Sequence, residues 1–342
     1  MLEALHALTK NKQPFVAFKL PNAKKVNLYY QKDDQLHMTY DFSEAGFLMA
    51  PFVDTDFYSY IPSTFSHRFD LPSSDSLLRS GLTFLDENKK PFVALVEQVL
   101  NKLKNSNLKK VVVSRVLVVN TSDKNSAQTF QNLALLYPTA FVYYWHHPAT
   151  GSWMGATPER FANLEDNRLH TIALAGTSNA NEGQEAEWTL KEIQEQQLVT
   201  VAIEVALKTT FPSVQLKISA VESIRAGALW HLKTDVHAES SDLSIAKVVK
   251  ALHPTPAVGG VPKDESTAFI LKNEGYDRKF YTGFLGLFEG DSNADFFVNL
   301  RCAEITAKGY NVFVGAGITS KSDPINEWKE TQRKAKTFCQ AL

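Results

Sequence analysis

Two pairs of glutamates, each spaced i,i+3, stand in segments of helical periodicity, a spacing that sets carboxylates side by side on one face. In KEIQEQQLVTVAIEVAL, residues 191–207, a turn of about 100° per residue gathers Val199, Ala202, Ile203 and Ala206 into an apolar stripe. Glu192 and Glu195 fall on the N-terminal end of that stripe, while Gln194, Gln197, Thr200 and Glu204 take the wetter side. A buried carboxylate without a partner costs several kcal/mol, so the position calls for a cation, a metal ion or a proton. In DPINEWKETQRKA, Glu327, Glu330 and Lys334 fall within about 60° of one another, away from Trp328. Alone, that spacing describes solvated ion pairs worth about 0.3–0.5 kcal/mol. Two such pairs on separate helices, one of them on an apolar face, make an oxygen-only donor set suited to Mg²⁺, a hard cation often shared with an anionic substrate.

Between the pairs lie groups suited to an anionic ligand. In DFFVNLRCAEI, strand alternation puts Phe296, Val298, Leu300 and Cys302 on one face and Asn299 and Arg301 on the other. Arg301 then offers a guanidinium fork to an anion, or pairs with a surface acid at a strand edge. In VFVGAGI, Gly315 and Gly317 share a face and leave a patch without side chains, open to a ligand or to a second backbone. Thr177 in ALAGTS presents a hydroxyl at a strand end or in a turn. Lys110 opens the apolar strand KVVVSRVLVV, where a buried lysine can act as general base; a snorkelling side chain like that of Lys109 is the alternative. Glu159, after Pro158 in GATPER, is either an acid or the partner of Arg160.

The elements that must carry these groups alternate along the chain. Short strand-like pieces (FVAFKL, VNLYY, FLMAPFV) and a Pro- and Ser-rich turn region, IPSTFSHRFDLPSSDS, precede the helical PFVALVEQVLNKLKN. Apolar strands and helices then follow one another to the terminal helix PINEWKETQRKAKTFCQAL, with hairpin-like stretches and tight turns such as AKGY. Tight turns between strands predict antiparallel sheets layered with helices, an α+β fold. With 342 residues, 44% apolar and 21% charged, the chain can bury a sizeable core. Thirty-six basic against thirty-seven acidic residues leave no positive field for nucleic acid or an anionic membrane, which points to a small-molecule partner. The start, MLEALHALTK, lacks a leader pattern and no long apolar run occurs, so a cytoplasmic location is expected. Cys302 and Cys339 have no metal-ligand spacing and read as packing residues.

Taken in order, KVVVSR, GATPERF, ALAGT, KEIQEQQLV, LHPTPAVGG, FYTGFLG, LRCAEI, GAGI and DPINEWKETQRKA resemble the motif set of the chorismate-utilising enzymes, above all the isochorismate synthases of menaquinone and siderophore biosynthesis. The resemblance covers about residues 106–342; residues 1–105 match loosely and are expected to complete the same single domain. It implies a Mg²⁺-dependent site for chorismate in which water adds to C2 as the C4 hydroxyl leaves. Lys110 matches the general base, Glu159 the general acid, and Glu192, Glu195, Glu327 and Glu330 the metal-binding carboxylates. Thr177, His253, Ala257, Val258, Tyr281, Arg301, Gly315 and Lys334 match substrate-contacting positions, and Ala257 stands where pyruvate-eliminating relatives tend to carry Thr. Gly259-Gly260 departs from relatives that have a bulkier residue before the second glycine. The resemblance implies a monomeric isomerase. Its rivals are salicylate synthase, anthranilate synthase component I, disfavoured by Lys110, and a chorismate-binding homologue without activity, disfavoured by the acid–base pair.

Overall fold

A computed structural model describes residues 1–53, 55–74, 77, 89–121, 125–179, 186–226 and 229–342. Among the described residues, strands form a nine-stranded and a ten-stranded sheet. Sheet A runs β15 (Gly260–Val261), β7 (Lys110–Asn120), β19 (Gly309–Ile318), β18 (Cys302–Thr306), β9 (Gly151–Thr157), β8 (Phe141–His147), β1 (Phe15–Lys19), β2 (Lys25–Tyr30), β6 (Ser66–Asp70). Sheet B runs β12 (Gln215–Ile218), β14 (Leu229–Glu239), β11 (Arg168–Asn179), β10 (Arg160–Glu165), β17 (Asn293–Val298), β16 (Phe284–Glu289), β4 (Ala45–Met49), β5 (Tyr58–Pro62), β3 (His37–Thr39), with β13 (Glu222–Ala226) also paired to β14. Neighbouring strands pair antiparallel, as the tight turns predict.

The strands are apolar on both faces because both faces are covered. In β8, Phe141, Tyr143 and Trp145 pack between the sheets, where they meet Phe18, Phe47, Trp153 and Phe297. Val142 and Tyr144 point the other way, toward α1 (Leu2–Lys10), α3 (Ser126–Leu136) and α7 (Pro324–Cys339). On the far side of sheet B, Phe284, Phe288 and Phe296 pack against α4 (Leu190–Thr210) and α5 (Ile245–Leu252), while the alternate residues Leu285 and Phe297 face sheet A. The result is four layers, helix, sheet, sheet, helix, with α2 (Lys89–Lys104) and α6 (Lys263–Asn273) beside β7. The sequence pattern does not announce α1, α6 or β6. Helix α1 buries only Leu5 and Leu8 and α6 only Ser266 and Ile270, and β6 is a largely exposed edge strand inside the segment read as a turn. The end of that segment, residues 75–76, lies outside the described residues.

Two chain crossings between the sheets position the chemistry. The chain passes from β9 to β10 through Pro158-Glu159, and from β17 to β18 through Asn299–Arg301. The crossings lie side by side: Thr157 Oγ1 donates to the Val298 carbonyl at 2.6 Å, the Val298 N–H to the Glu159 carbonyl at 2.9 Å, and the Ala156 N–H to the Arg301 carbonyl at 3.2 Å. This corrects the reading of DFFVNLRCAEI as one alternating strand. Asn299 is buried, accepting from Tyr143 Oη at 2.7 Å and donating to the Phe280 carbonyl at 2.9 Å, and Arg301 sits at φ +50°, where no strand continues.

Behind the crossings, Arg278 is buried with all five guanidinium donors engaged. Nε and Nη2 reach the Glu274 carboxylate at 2.7 and 2.5 Å, Nη2 also reaches the Val112 carbonyl at 2.7 Å, and Nη1 donates to the Val258 carbonyl and Thr282 Oγ1, both at 3.1 Å. Glu274 Oε1 in turn accepts from the Ser114 N–H and hydroxyl at 2.7 and 2.9 Å. One ion pair thus ties together β7, the loop before β15 and the turn before β16. Arg278→Met alone strands the Glu274 charge and should cost about 3–5 kcal/mol, whereas Arg278→Met with Glu274→Leu should recover most of it. Urea denaturation of both variants tests this, and equal midpoints would contradict it.

Candidate active site

The crossings open onto a cavity of about 80 Å³ lined from both sheets, from α4 and from α7. Lys110, at the start of β7, is fully buried, whereas Lys109 is exposed, so the strand register turns the expected lysine inward. Its Nζ lies 3.0 Å from Glu195 Oε1 of α4. Gly317 faces this pair. A Cβ there would stand 2.2 Å from Glu195 Oε1 and 3.0 Å from Lys110 Cε. The glycine pair therefore does not leave an empty patch: Gly317 makes room for the Lys110–Glu195 pair, and a Cβ on Gly315 would meet the Val113 carbonyl at 2.9 Å and Tyr281 Oη at 3.0 Å.

The second glutamate pair comes from α7, whose Asp323 side chain caps the helix through the Asn326 N–H. Glu327, Glu330 and Trp328 are all buried, because Trp328 packs toward Phe92 while the glutamates face α4 and the cavity side. Glu330 Oε1 pairs with Lys334 Nζ at 2.5 Å, and that ammonium also donates to the Gly315 carbonyl at 3.0 Å. Burial would raise the Glu330 pKa, but Lys334 and Lys191 outweigh it and hold the carboxyl below the usual range. Glu327 is pushed up by burial and by Glu330.

The four glutamates do not converge freely. Lys191 Nζ stands 3.0 Å from Glu327 Oε1, 3.7 Å from Glu195 Oε2 and 3.9 Å from Glu192 Oε1. Glu192 also closes a capping box on α4: its Oε2 accepts from the Thr189 N–H at 3.1 Å and from the Thr189 hydroxyl. Among the described residues, no three acid, histidine or cysteine side chains stand at metal-ligand spacing. The donor chemistry nevertheless fits a hard divalent ion. All donors are carboxylate oxygens, and Glu327 Oε2 is buried without a hydrogen-bond partner.

Glu159 is buried, and its neighbour Arg160 pairs with Asp295 at 3.0 Å, which removes the surface-partner reading. Burial pushes its carboxyl up to about 8 against the pull of Lys110, Lys334 and Arg301. Such a group carries its proton at neutral pH. Arg301 lines the same cavity, and its Nη1 has no hydrogen-bond partner. Thr177, Ala257, Val258 and Tyr281 also line it. His253 does not: its Nε2 lies 3.0 Å from the Pro51 carbonyl and its ring packs edge-on to Phe161 and Phe284.

The residue that sequence reasoning passes over is His231. It is buried in the cavity wall on β14, with Nδ1 2.9 Å from the Gly176 carbonyl and Nε2 3.5 Å from Arg301 Nη2. Nδ1 is the donor in this arrangement, and Nε2 offers a lone pair toward Arg301. Burial and the Arg301 charge push its pKa down to about 3, so the ring is neutral. Strand alternation groups it with the half-exposed Lys233 and Asp235, which hides it.

The family described as "Chorismate binding enzyme" matches residues 70–342. The chain is 32% identical over 266 residues to the salicylate biosynthesis isochorismate synthase of Pseudomonas aeruginosa, covering 75% of this chain and 55% of that protein. It is 31% identical over 268 residues to isochorismate synthase MenF of Haemophilus influenzae, covering 74% and 60%. The chain thus spans little more than half the length of these curated relatives. The fold is that of MenF, the menaquinone-specific isochorismate synthase of Escherichia coli, with a TM-score of 0.81 at 21% identity, covering 96% of this chain and 89% of that one. A family match over residues 70–342, in which the acid, the lysines and both glutamate pairs lie, shows that the chain belongs to the chorismate-binding enzymes.

Proposed function

We propose that the protein is a Mg²⁺-dependent isochorismate synthase. The observation that carries this is the placing of a buried acid of raised pKa, Glu159, on a cavity that Arg301 and Glu195 also line, with the buried amine of Lys110 3.0 Å behind Glu195. Lys110 takes a proton from the water that attacks C2, while Glu159 gives its proton to the departing C4 hydroxyl, which leaves as water. The ring double bonds shift, and the product is an isomer of chorismate. In reverse the two groups exchange roles. Arg301 and Lys334 hold the carboxylates of the substrate. Tyr281, Thr177, Ala257 and Val258 shape the wall, and His231, neutral, keeps Arg301 in place. Lys334 and Glu330, paired with each other, both line the cavity, and the dianionic substrate enters as that pair opens.

Glu195, Glu327 and Glu330 are the residues that would hold Mg²⁺, with Glu192 joining once its capping role is released. The ion supplies positive charge that neutralises these carboxylates and a carboxylate of the substrate.

Purified protein given chorismate and Mg²⁺ should form isochorismate, with little salicylate, as judged by chromatography. Stoichiometric pyruvate release would instead indicate salicylate synthesis, and ammonium-dependent anthranilate would indicate the amine-using reaction. Chelator treatment or Glu330→Gln should abolish turnover with the circular dichroism unchanged; full activity in chelator would remove the metal from the proposal.

Lys110→Ala and Glu159→Gln should each lower turnover roughly 10²–10⁴-fold, while Lys109→Ala leaves it near wild type. Turnover should fall as pH rises through about 8, where Glu159 loses its proton. The same group makes a stability prediction. Its folded pKa of about 8 exceeds the ordinary 4.5, so between those values the folded state holds a proton that the unfolded state has released. Stability therefore declines as pH rises from 4.5 to 8 and levels off above. Glu159→Gln should remove that decline, and an unchanged pH–stability curve would show that Glu159 is not the buried acid.

A further inference from the structure

Among the glutamates of α4 and α7 stands a lysine that neither the acid–base pair nor the substrate pocket uses. Lys191 lies in the first turn of α4, and its side chain is 14% exposed. Its ammonium approaches carboxylates from both helices: Glu192 and Glu195 of α4, and Glu327 of α7. Three carboxylates brought this close repel one another strongly unless a positive charge sits among them. Here that charge is Lys191. Burial disfavours the ammonium, but Glu195, Glu330 and Glu327 outweigh it and keep Lys191 charged.

We propose that Lys191 is an internal counter-ion that holds the acidic cluster together in the metal-free protein and is displaced when a divalent cation binds. The inference rests on the assignment of these glutamates as the metal site. Two features favour displacement over coexistence. An ion held by Glu195 and Glu327 would draw on the same carboxylates that the Lys191 ammonium now pairs with. The lysine also leaves Glu327 Oε2 buried and unpartnered, an oxygen that an ion of higher coordination number can take up. The partial exposure of Lys191 gives its flexible stem a way out to solvent.

A competitor of this kind weakens the ion's apparent affinity, so removing it should tighten binding. Isothermal titration with Mg²⁺ or Mn²⁺, without substrate, is expected to give Lys191→Met and Lys191→Gln a dissociation constant about tenfold or more below wild type, since one buried positive charge next to the ion is removed. A second measurement needs no variant. An amine-acylating reagent, with labelled sites read by mass spectrometry, should modify Lys191 faster at saturating Mg²⁺, while the exposed Lys109 reacts at the same rate in both conditions. Unchanged or weaker ion binding in folded neutral variants, or Lys191 labelling that stays constant or slows as Mg²⁺ binds, would overturn the displacement. Absence of ion binding to the wild-type protein would overturn the metal assignment itself, and the displacement with it.

Discussion

A charge buried where two apolar layers meet has little water to turn to, and it persists only if another charge or a proton satisfies it. That constraint organises the cavity. Lys110 leans on Glu195, Lys334 on Glu330, Lys191 on Glu327 and Glu195, and Arg278 on Glu274. Glu159 lacks such a contact and is satisfied by its proton instead. Each pair joins elements distant in sequence or anchors the wall of the cavity, so the ionic network and the four-layer packing fix one another.

The arrangement has a cost. Buried ion pairs are a weak source of stability, because desolvation offsets most of their attraction. What they supply here is geometry. Glycine at position 317 admits a carboxylate against a lysine where any side chain would collide. The five-donor anchoring of Arg278 holds the carbonyls of Val112 and Val258 and the hydroxyl of Thr282, all in residues that line the cavity. A charged group that opened one of these internal pairs would exchange one set of charges for another.

Helical periodicity alone revealed the two glutamate pairs, since i,i+3 spacing sets them on one face whatever the tertiary context. The alternating apolar strands and tight turns foretold antiparallel sheets with helices, and the position of Lys110 at the head of an apolar strand allowed either burial or a snorkelling side chain, between which the structure decides for burial. The motif set, in order along about residues 106–342, pointed to the family that the comparison then showed. These signals are local or come from composition, and local order is what a linear pattern records.

Only the tertiary structure decided which groups meet. Glu159 and Arg301 lie on crossings between sheets, where strand alternation no longer applies, and two hydrogen-bonded crossings bring together residues 142 positions apart in the sequence. His231 is hidden among half-exposed strand neighbours, and His253 turns away from the cavity onto Phe284 and the Pro51 carbonyl. Arg278 and Lys191 carry no pattern that separates them from other basic residues, because what distinguishes them is the three-dimensional closeness of acids and carbonyls from other elements. Periodicity fixes the face on which a side chain lies; the packing of layers determines what that face meets, and so which charges are buried together.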